Sequence, residues 1–230
     1  IDKSIRMVSY VIRKLAAEYE IFIVNDGSRD RTKVIAEKIE QATRGVTLLN
    51  YERGPTRREN LAQSFKRAQG DIVVFVDIDL IASLRFLSDL IEQVISGCDI
   101  VTGSRYTVGS KIKRKPFRLL LSLLWNGCIR FLFRTDIRDH MCGFKAFRKD
   151  VILKLVEEMG YDESLTRGIF WDVELLIRAQ RHNYTTREIP IWWKERKKSA
   201  LNLNKEIKTI GYVLKFVLKS AKESLLRFHV

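Results

Sequence analysis

Five consecutive apolar residues, Ile72-Val73-Val74-Phe75-Val76, run straight into Asp77-Ile78-Asp79. So short a run, rich in β-branched and aromatic side chains, reads as a strand buried on both faces, as in parallel sheets covered by helices. Side chains two apart on a strand point the same way, so Asp77 and Asp79 are expected to project together beyond its carboxyl end. Ligands of open α/β sheets bind at that edge. Two hard carboxylate ligands there suit Mg²⁺ or Mn²⁺, ions that keep positions open for a diphosphate. An isolated Asp-x-Asp seldom binds metal; the apolar strand in front of it gives this pair its weight.

The same pattern occurs earlier. Ile21-Phe22-Ile23-Val24-Asn25 leads into Asp26-Gly27-Ser28, where Gly27 permits a tight bend and close backbone approach. Asp26 then sits at a strand end, placed to accept hydrogen bonds from a base or ribose, although such a turn alone is more often only a turn. In all, strands are expected at Glu20–Asn25, Val46–Asn50, Asp71–Val76, Asp99–Gly103 and Glu188–Trp193, with a shorter one near Phe144–Phe147. Helical patterns cover Ser4–Tyr19, Thr32–Gln41, Arg58–Gln69, Leu84–Ser96, Asp150–Glu158 and Trp171–Arg181, with Asp30 and Ser83 as N-cap types for the second and fourth. Alternating strands and helices imply one α/β domain with a mostly parallel, Rossmann-like sheet flanked by helices. Three scattered cysteines, Cys98, Cys128 and Cys142, form no C-x-x-C pair and suit a reducing, cytosolic compartment. No signal-peptide pattern follows Ile1.

The net charge of +14 is regional. Residues 100–135 hold eight Lys or Arg and no acid, and residues 192–230 hold ten basic against three acidic residues. Charge gathered this way marks a surface that meets an anion: nucleic acid, an anionic membrane or a phosphorylated substrate. Both stretches contain apolar helices. Lys115–Phe133 is dense in Leu, Phe and Trp but interrupted by Arg118, Asn126 and Arg130, short of the roughly 18 to 20 apolar residues a bilayer crossing takes. Ile207–Leu226 puts Lys208, Lys215, Lys219 and Lys222 on one stripe and Ile210, Val213, Leu214, Val217, Ala221 and Leu225 on the other side. Such a helix suits the plane of a membrane interface, or a packed helix with its lysines in water. The expected division is a catalytic domain over 1–200 and a basic amphipathic tail over 201–230.

The Asp26-Gly27-Ser28 and Asp77-x-Asp79 motifs, in this order and about fifty residues apart, resemble glycosyltransferase family 2. Collinear pieces extend the likeness: Gly54–Asp71 with Arg57, Arg58 and Asn60; Val101-Thr102-Gly103-Ser104-Arg105-Tyr106; Asp139-His140-Met141-Cys142-Gly143-Phe144-Lys145; Phe170-Trp171-Asp172-Val173-Glu174-Leu175; Glu188-Ile189-Pro190-Ile191; and Glu195-Arg196. Within the family they are most similar to the dolichyl-phosphate mannose synthase and dolichyl-phosphate glucosyltransferase group. The resemblance implies a GT-A fold and transfer of a hexose from a nucleotide-sugar to a polyprenyl phosphate at the cytoplasmic face of a membrane. It implies that Asp26, Gly27 and Arg58 serve the nucleotide, and that Asp77 and Asp79 hold the metal on its diphosphate. Arg105 and Arg196 would bind phosphate groups, and Asp139, Lys145 and Glu174 would line the sugar and acceptor side. Two departures stand out. The family's opening strand, ending in a Pro-Ala-Tyr-Asn-Glu-like motif, has no counterpart, and a chain without it should lose sheet order and donor affinity. Ile81 stands where some mannose synthases of the group carry a polar third metal ligand.

Three other readings are open to a chain of this composition. A soluble family 2 transferase acting on a saccharide or protein hydroxyl would need a general base and leaves the basic apolar helices unexplained. A nucleic-acid-binding protein fits the pI of about 9.8, yet no helix-turn-helix, zinc or RNA-binding motif is visible, so no nucleic-acid partner is expected. A nucleotidyltransferase shares the sheet and carboxylates but not the Gly-Ser-Arg-Tyr and Gly-Phe-Lys elements.

Overall fold

The computed structural model describes residues 1–15, 18–78, 81–194 and 209–220; Asp79, Arg196 and residues 201–208 and 221–230 of the expected tail lie outside them. Helix α1 (Asp2–Leu15) precedes β1 (Ile21–Asp26), whose Ile21, Ile23 and Asn25 alternate inward, as a half-buried strand requires. Helix α2 (Thr32–Ala42) returns the chain to β2 (Val46–Tyr51), parallel to β1 with Ile21 opposite Val46 and Asp26 opposite Tyr51. Then come α3 (Glu59–Phe65), β3 (Ile72–Val76), a 3₁₀ segment (Ile81–Phe86), α4 (Leu87–Ile95) and β4 (Ile100–Ser104). The second half holds β5 (Lys111–Lys113), α5 (Pro116–Phe133), β6 (Phe144–Arg148), α6 (Lys149–Met159), α7 (Trp171–Arg181), β7 (Thr186–Pro190) and β8 (Trp192–Lys194). A final helix, α8, covers residues 209–220.

Strands β3, β6, β4 and β7 form one sheet in that order, with β4 and β7 parallel and β6 antiparallel to both neighbours. The mostly parallel sheet therefore carries one antiparallel member at its centre. On one face Phe65, Phe75 and Phe147 cluster, with ring centroids 6.0 to 6.3 Å apart, against α6 and α7. On the other, Leu87, Leu90 and Val94 of α4 pack on Val101, Phe144 and Ala146. Helices on both faces explain why all five residues of β4 are buried. The β1–β2 pair is not hydrogen-bonded to this sheet among the described residues; α1 spans the division, since Val8 and Ile12 touch both apolar clusters.

Local chemistry shifted several boundaries. The strand expected over Glu188–Trp193 is two strands: β7 follows β4 as far as Pro190, which has no N–H to donate, and β8 then pairs with β5. The fourth helix opens as 3₁₀, and Ser83 caps nothing; its buried hydroxyl donates to the Trp192 carbonyl at 2.9 Å, tying that segment to β8. Asp30 lies one residue before the N-cap of α2 and accepts from the Thr32 amide at 3.0 Å. The third helix stops at Phe65, four residues early. Helix α5, despite its interruptions, is long and apolar enough to cross a membrane by length and composition, because four polar side chains in eighteen residues, Arg118, Ser122, Asn126 and Arg130, leave the whole apolar. Asn126 and Ile129 are nevertheless buried against the domain, so one face of α5 belongs to the fold.

Candidate active site

Asp26 ends β1 and turns at Gly27, whose φ is +65°. A Cβ on Gly27 would lie 2.6 Å from Gly54 Cα, and one on Gly54 would lie 2.3 Å from the Asp26 carbonyl oxygen, so two bare backbones cross here. The Asp26 carboxylate is engaged from within: Asn60 Nδ2 and Thr56 Oγ1 donate to Oδ1 at 2.7 and 3.0 Å, and the Thr56 amide donates to Oδ2 at 2.8 Å. Asn60 also accepts from the Tyr161 hydroxyl at 3.3 Å. The Gly54–Asn60 segment thus fixes the acid expected to face the nucleoside.

Asp77 follows β3. Its amide donates to the Gly143 carbonyl at 2.7 Å, and its carboxylate is gripped by both arms of Arg58, Nη1 to Oδ1 at 2.6 Å and Nη2 to Oδ2 at 2.8 Å. Nε of the same guanidinium donates to Asp172 Oδ2 at 3.0 Å, and Lys145 Nζ donates to Asp172 Oδ1 at 2.7 Å and to the Cys142 carbonyl. The result is a row of alternating charges, Asp77, Arg58, Asp172 and Lys145, lying over the Phe75 ring with the two cations 5.0 and 5.4 Å from its centroid. Burial disfavours the charged forms of Arg58 and Asp172, but the opposite charges win. Despite desolvation, Asp172 and Asp77 raise the pKa of Arg58, and Arg58 and Lys145 hold Asp172 below the usual carboxylate range. Gly143 is as constrained as Gly27: a Cβ there would sit 1.8 Å from Asp77 Oδ2.

A second cluster lies at the end of β4. Arg105 donates from Nε and Nη2 to the two oxygens of Asp139, both at 2.7 Å, and from its amide at 2.9 Å. Asp139 is fully buried, and its own amide donates to Glu188 at 2.9 Å. The pairing raises the Arg105 pKa against the opposing effect of burial. Trp193 lies 5.4 Å from the guanidinium centres of both Arg105 and Arg114. Tyr106 donates to Ser122 of α5 at 2.6 Å, and Asn126 of α5 accepts from the His140 amide and ring at 3.2 Å each. Both residues beside the Arg105–Asp139 pair are thereby pinned to α5.

Glu174 is elsewhere. It is fully buried among Arg178, which donates at 2.8 Å, Tyr212 of α8, which donates at 2.7 Å, and Arg167 at 3.4 Å. Asp172, two residues before it, takes the place beside Arg58 and Lys145 instead. Among the residues expected to act together, Asp77, Arg58 and Lys145 converge on one row, Asp26 with Gly27 and Arg105 with Asp139 form their own clusters, and Asp79 and Arg196 are outside the described residues. Asp77 is a hard oxygen donor at a strand end, 37% exposed, with Gly143 leaving its carboxylate room; a divalent cation fits such a donor once phosphate oxygens complete the coordination. No group of three His, Cys, Asp or Glu gathers among the described residues.

This sheet, with carboxylates at its strand ends and helices on both faces, has the GT-A glycosyltransferase fold. Glucosyl-3-phosphoglycerate synthase of Mycobacterium tuberculosis, solved with Mn²⁺, uridine diphosphate and phosphoglyceric acid, matches it with a TM-score of 0.64 at 18% identity, over 93% of this chain and 74% of that one. Residues 5–156 match Glycosyl transferase family 2, and the chain belongs to that family. Glycosyltransferase AglD of Haloferax volcanii is 32% identical over 197 residues, 85% of this chain and 31% of the relative. The dolichol-phosphate mannosyltransferase of Pyrococcus furiosus is 35% identical over 137 residues, 58% of this chain and 39% of the relative. The chain thus spans well under half the length of both relatives.

Proposed function

We propose that this glycosyltransferase moves a hexose from GDP-mannose or UDP-glucose to a polyprenyl phosphate, such as dolichyl phosphate, at the cytoplasmic surface of a membrane. One observation carries the choice of acceptor: the Arg105 cluster is pinned to a helix whose outer side is apolar and exposed. Phe117, Leu120, Leu121, Leu124, Phe131 and Leu132 of α5 are all exposed, and Lys111, Lys113, Arg114, Lys115 and Arg118 gather before and within its first turn. Helix α8 packs beside it, Phe216 lying 5.7 Å from Phe133 and 5.4 Å from Phe170, yet it too exposes Ile210, Leu214 and Leu218 together with Lys215 and Lys219. Exposed aliphatic side chains beside lysines suit an interfacial helix on an anionic bilayer, where each basic residue contributes on the order of 1 kcal/mol. In this reading residues 1–200 perform the chemistry and residues 201–230 add membrane contact.

The acceptor chemistry agrees with the residues present. A phosphate monoester is already anionic near neutral pH, so its oxygen attacks the anomeric carbon without a strong general base. What remains for the protein is positioning and charge neutralisation. Asp26 and the Gly27–Gly54 crossing hold the nucleoside, Arg105 faces the acceptor phosphate, and Asp139 orients Arg105. Asp77, with Asp79, would hold Mg²⁺ or Mn²⁺, which supplies Lewis-acid stabilisation to the departing diphosphate. Direct displacement inverts the anomeric configuration. The test is a radiolabelled transfer assay offering GDP-mannose and UDP-glucose in parallel with dolichyl phosphate in vesicles. Organic-extractable label from one donor is expected; label from neither, with transfer to a soluble saccharide instead, would exclude the lipid acceptor.

A further inference from the structure

Asp77 is the carboxylate the chemistry needs, and Arg58 already occupies it. Both Asp77 oxygens accept from the guanidinium, at 2.6 and 2.8 Å, while Arg58 is held by a third point, Nε on Asp172 at 3.0 Å, and by the Phe75 ring beneath it. Asp77 is 37% exposed and Arg58 16%, so the acid has the freer side chain of the two. A divalent cation on either Asp77 oxygen would face the guanidinium across a single carboxylate, and like charges that close repel strongly. A diphosphate removes the conflict, because its oxygens accept from the guanidinium and coordinate the cation at once.

We propose that Arg58 is the standing counter-cation of Asp77 and makes divalent-ion binding conditional on the donor's diphosphate. When the diphosphate arrives, Asp77 turns away from Arg58, and the freed Nη groups donate to phosphate oxygens. Nε stays on Asp172, whose second oxygen is already neutralised by Lys145, so Arg58 pivots about a fixed anchor. No covalent bond is made or broken; hydrogen-bond partners are exchanged, and the cation would be coordinated by Asp77 and phosphate oxygens. Ion and nucleotide then load as a pair, and the resting site binds free divalent cation poorly. This deepens the proposed function and rests on its assignment of Asp77 to the metal.

The experiment measures Mn²⁺ binding to the full chain from the electron paramagnetic resonance signal of free Mn²⁺, alone and with UDP or GDP. Wild type should bind Mn²⁺ weakly alone and at least about tenfold more tightly with one of the nucleotides, within the usual range of coupled sites. Arg58→Gln should bind Mn²⁺ alone at least about tenfold more tightly than wild type, with the gain from nucleotide correspondingly smaller. Arg58→Lys, which keeps the charge and loses the fork, should fall between them and serves if the glutamine variant does not fold. A folded Arg58→Gln, or in its place Arg58→Lys, with unchanged or weaker affinity for Mn²⁺ alone overturns the proposal. So does a wild type that binds Mn²⁺ equally well with and without nucleotide, although the metal assignment then survives. Wild type that binds no Mn²⁺ under any condition overturns both.

Discussion

At Asp172 and Glu174, two acids of one helix have separate tasks. Residues two apart on a helix are turned by about 200°, so only one of a pair can face a given neighbour. The motif Trp171-Asp172-Val173-Glu174 displays both acids equally, and spacing alone does not say which of them meets Arg58 and Lys145. The partners decide it: Arg58 stands 114 positions from Asp172, a separation no local pattern encodes. Replacing Asp172 by Asn should cost about 3–5 kcal/mol, since Lys145, fully buried, loses the charge that compensates it. Urea denaturation measures this, and a loss below about 1 kcal/mol would mean the buried pair is solvated after all. His140 gives a prediction of the opposite kind. Buried, with its ring on Asn126, it has a pKa lowered to about 4 chiefly by desolvation, Asp139 opposing and Lys145 assisting. A base with a depressed pKa binds its proton less readily folded than unfolded. Stability is therefore complete above about pH 6.5 and drains away as pH falls toward 4. Against His140→Gln, wild type should lose roughly 2 kcal/mol more between pH 7 and pH 5, and parallel stability curves for the two proteins would refute the assignment.

Elements were legible where their apolar pattern was long. Strands β1, β2, β3 and β4 fall within a residue or two of expectation, because buried strands announce themselves as β-branched runs. Strands β5 and β8 did not, since Lys111-Ile112-Lys113 is three residues of mostly charged sequence that becomes a strand only by pairing with Trp192–Lys194. Helix α5 was legible as a helix and as apolar, but not its attachment, which depends on Ser122 and Asn126 meeting Tyr106 and His140. That attachment makes its outer surface consequential, because a lipid-seated α5 also seats Arg105. Replacing Phe117, Leu120, Leu121 and Leu124 together by Ser removes exposed apolar groups and should leave the fold stable. Flotation with anionic liposomes should then fall at least about tenfold, following the loss of several buried side chains at the acyl boundary. Unchanged flotation would take α5 off the membrane.

For the whole molecule, the α/β class and the family were readable in order and spacing, because the Asp26-Gly27-Ser28, Asp77 and Ser104-Arg105 motifs sit at the ends of strands that the apolar pattern locates. The antiparallel course of β6 was not, for Phe144–Arg148 has the same pattern in either direction and only its partners fix it. That reversed strand matters functionally. Its entry places Gly143 against Asp77 and leads Lys145 beneath Asp172, so the sheet's central irregularity is also where the candidate site is assembled. The basic charge is regional along the sequence, gathered in residues 100–135 and 192–230 rather than spread along the chain. The most direct measurement is sugar transfer to vesicle-borne dolichyl phosphate by Asp77→Ala beside wild type, with circular dichroism confirming that both are folded. Loss of Asp77 should lower the rate at least about a hundredfold, the scale on which a group aimed at developing charge acts. A folded Asp77→Ala protein that transfers sugar at the wild-type rate would contradict the account at its centre.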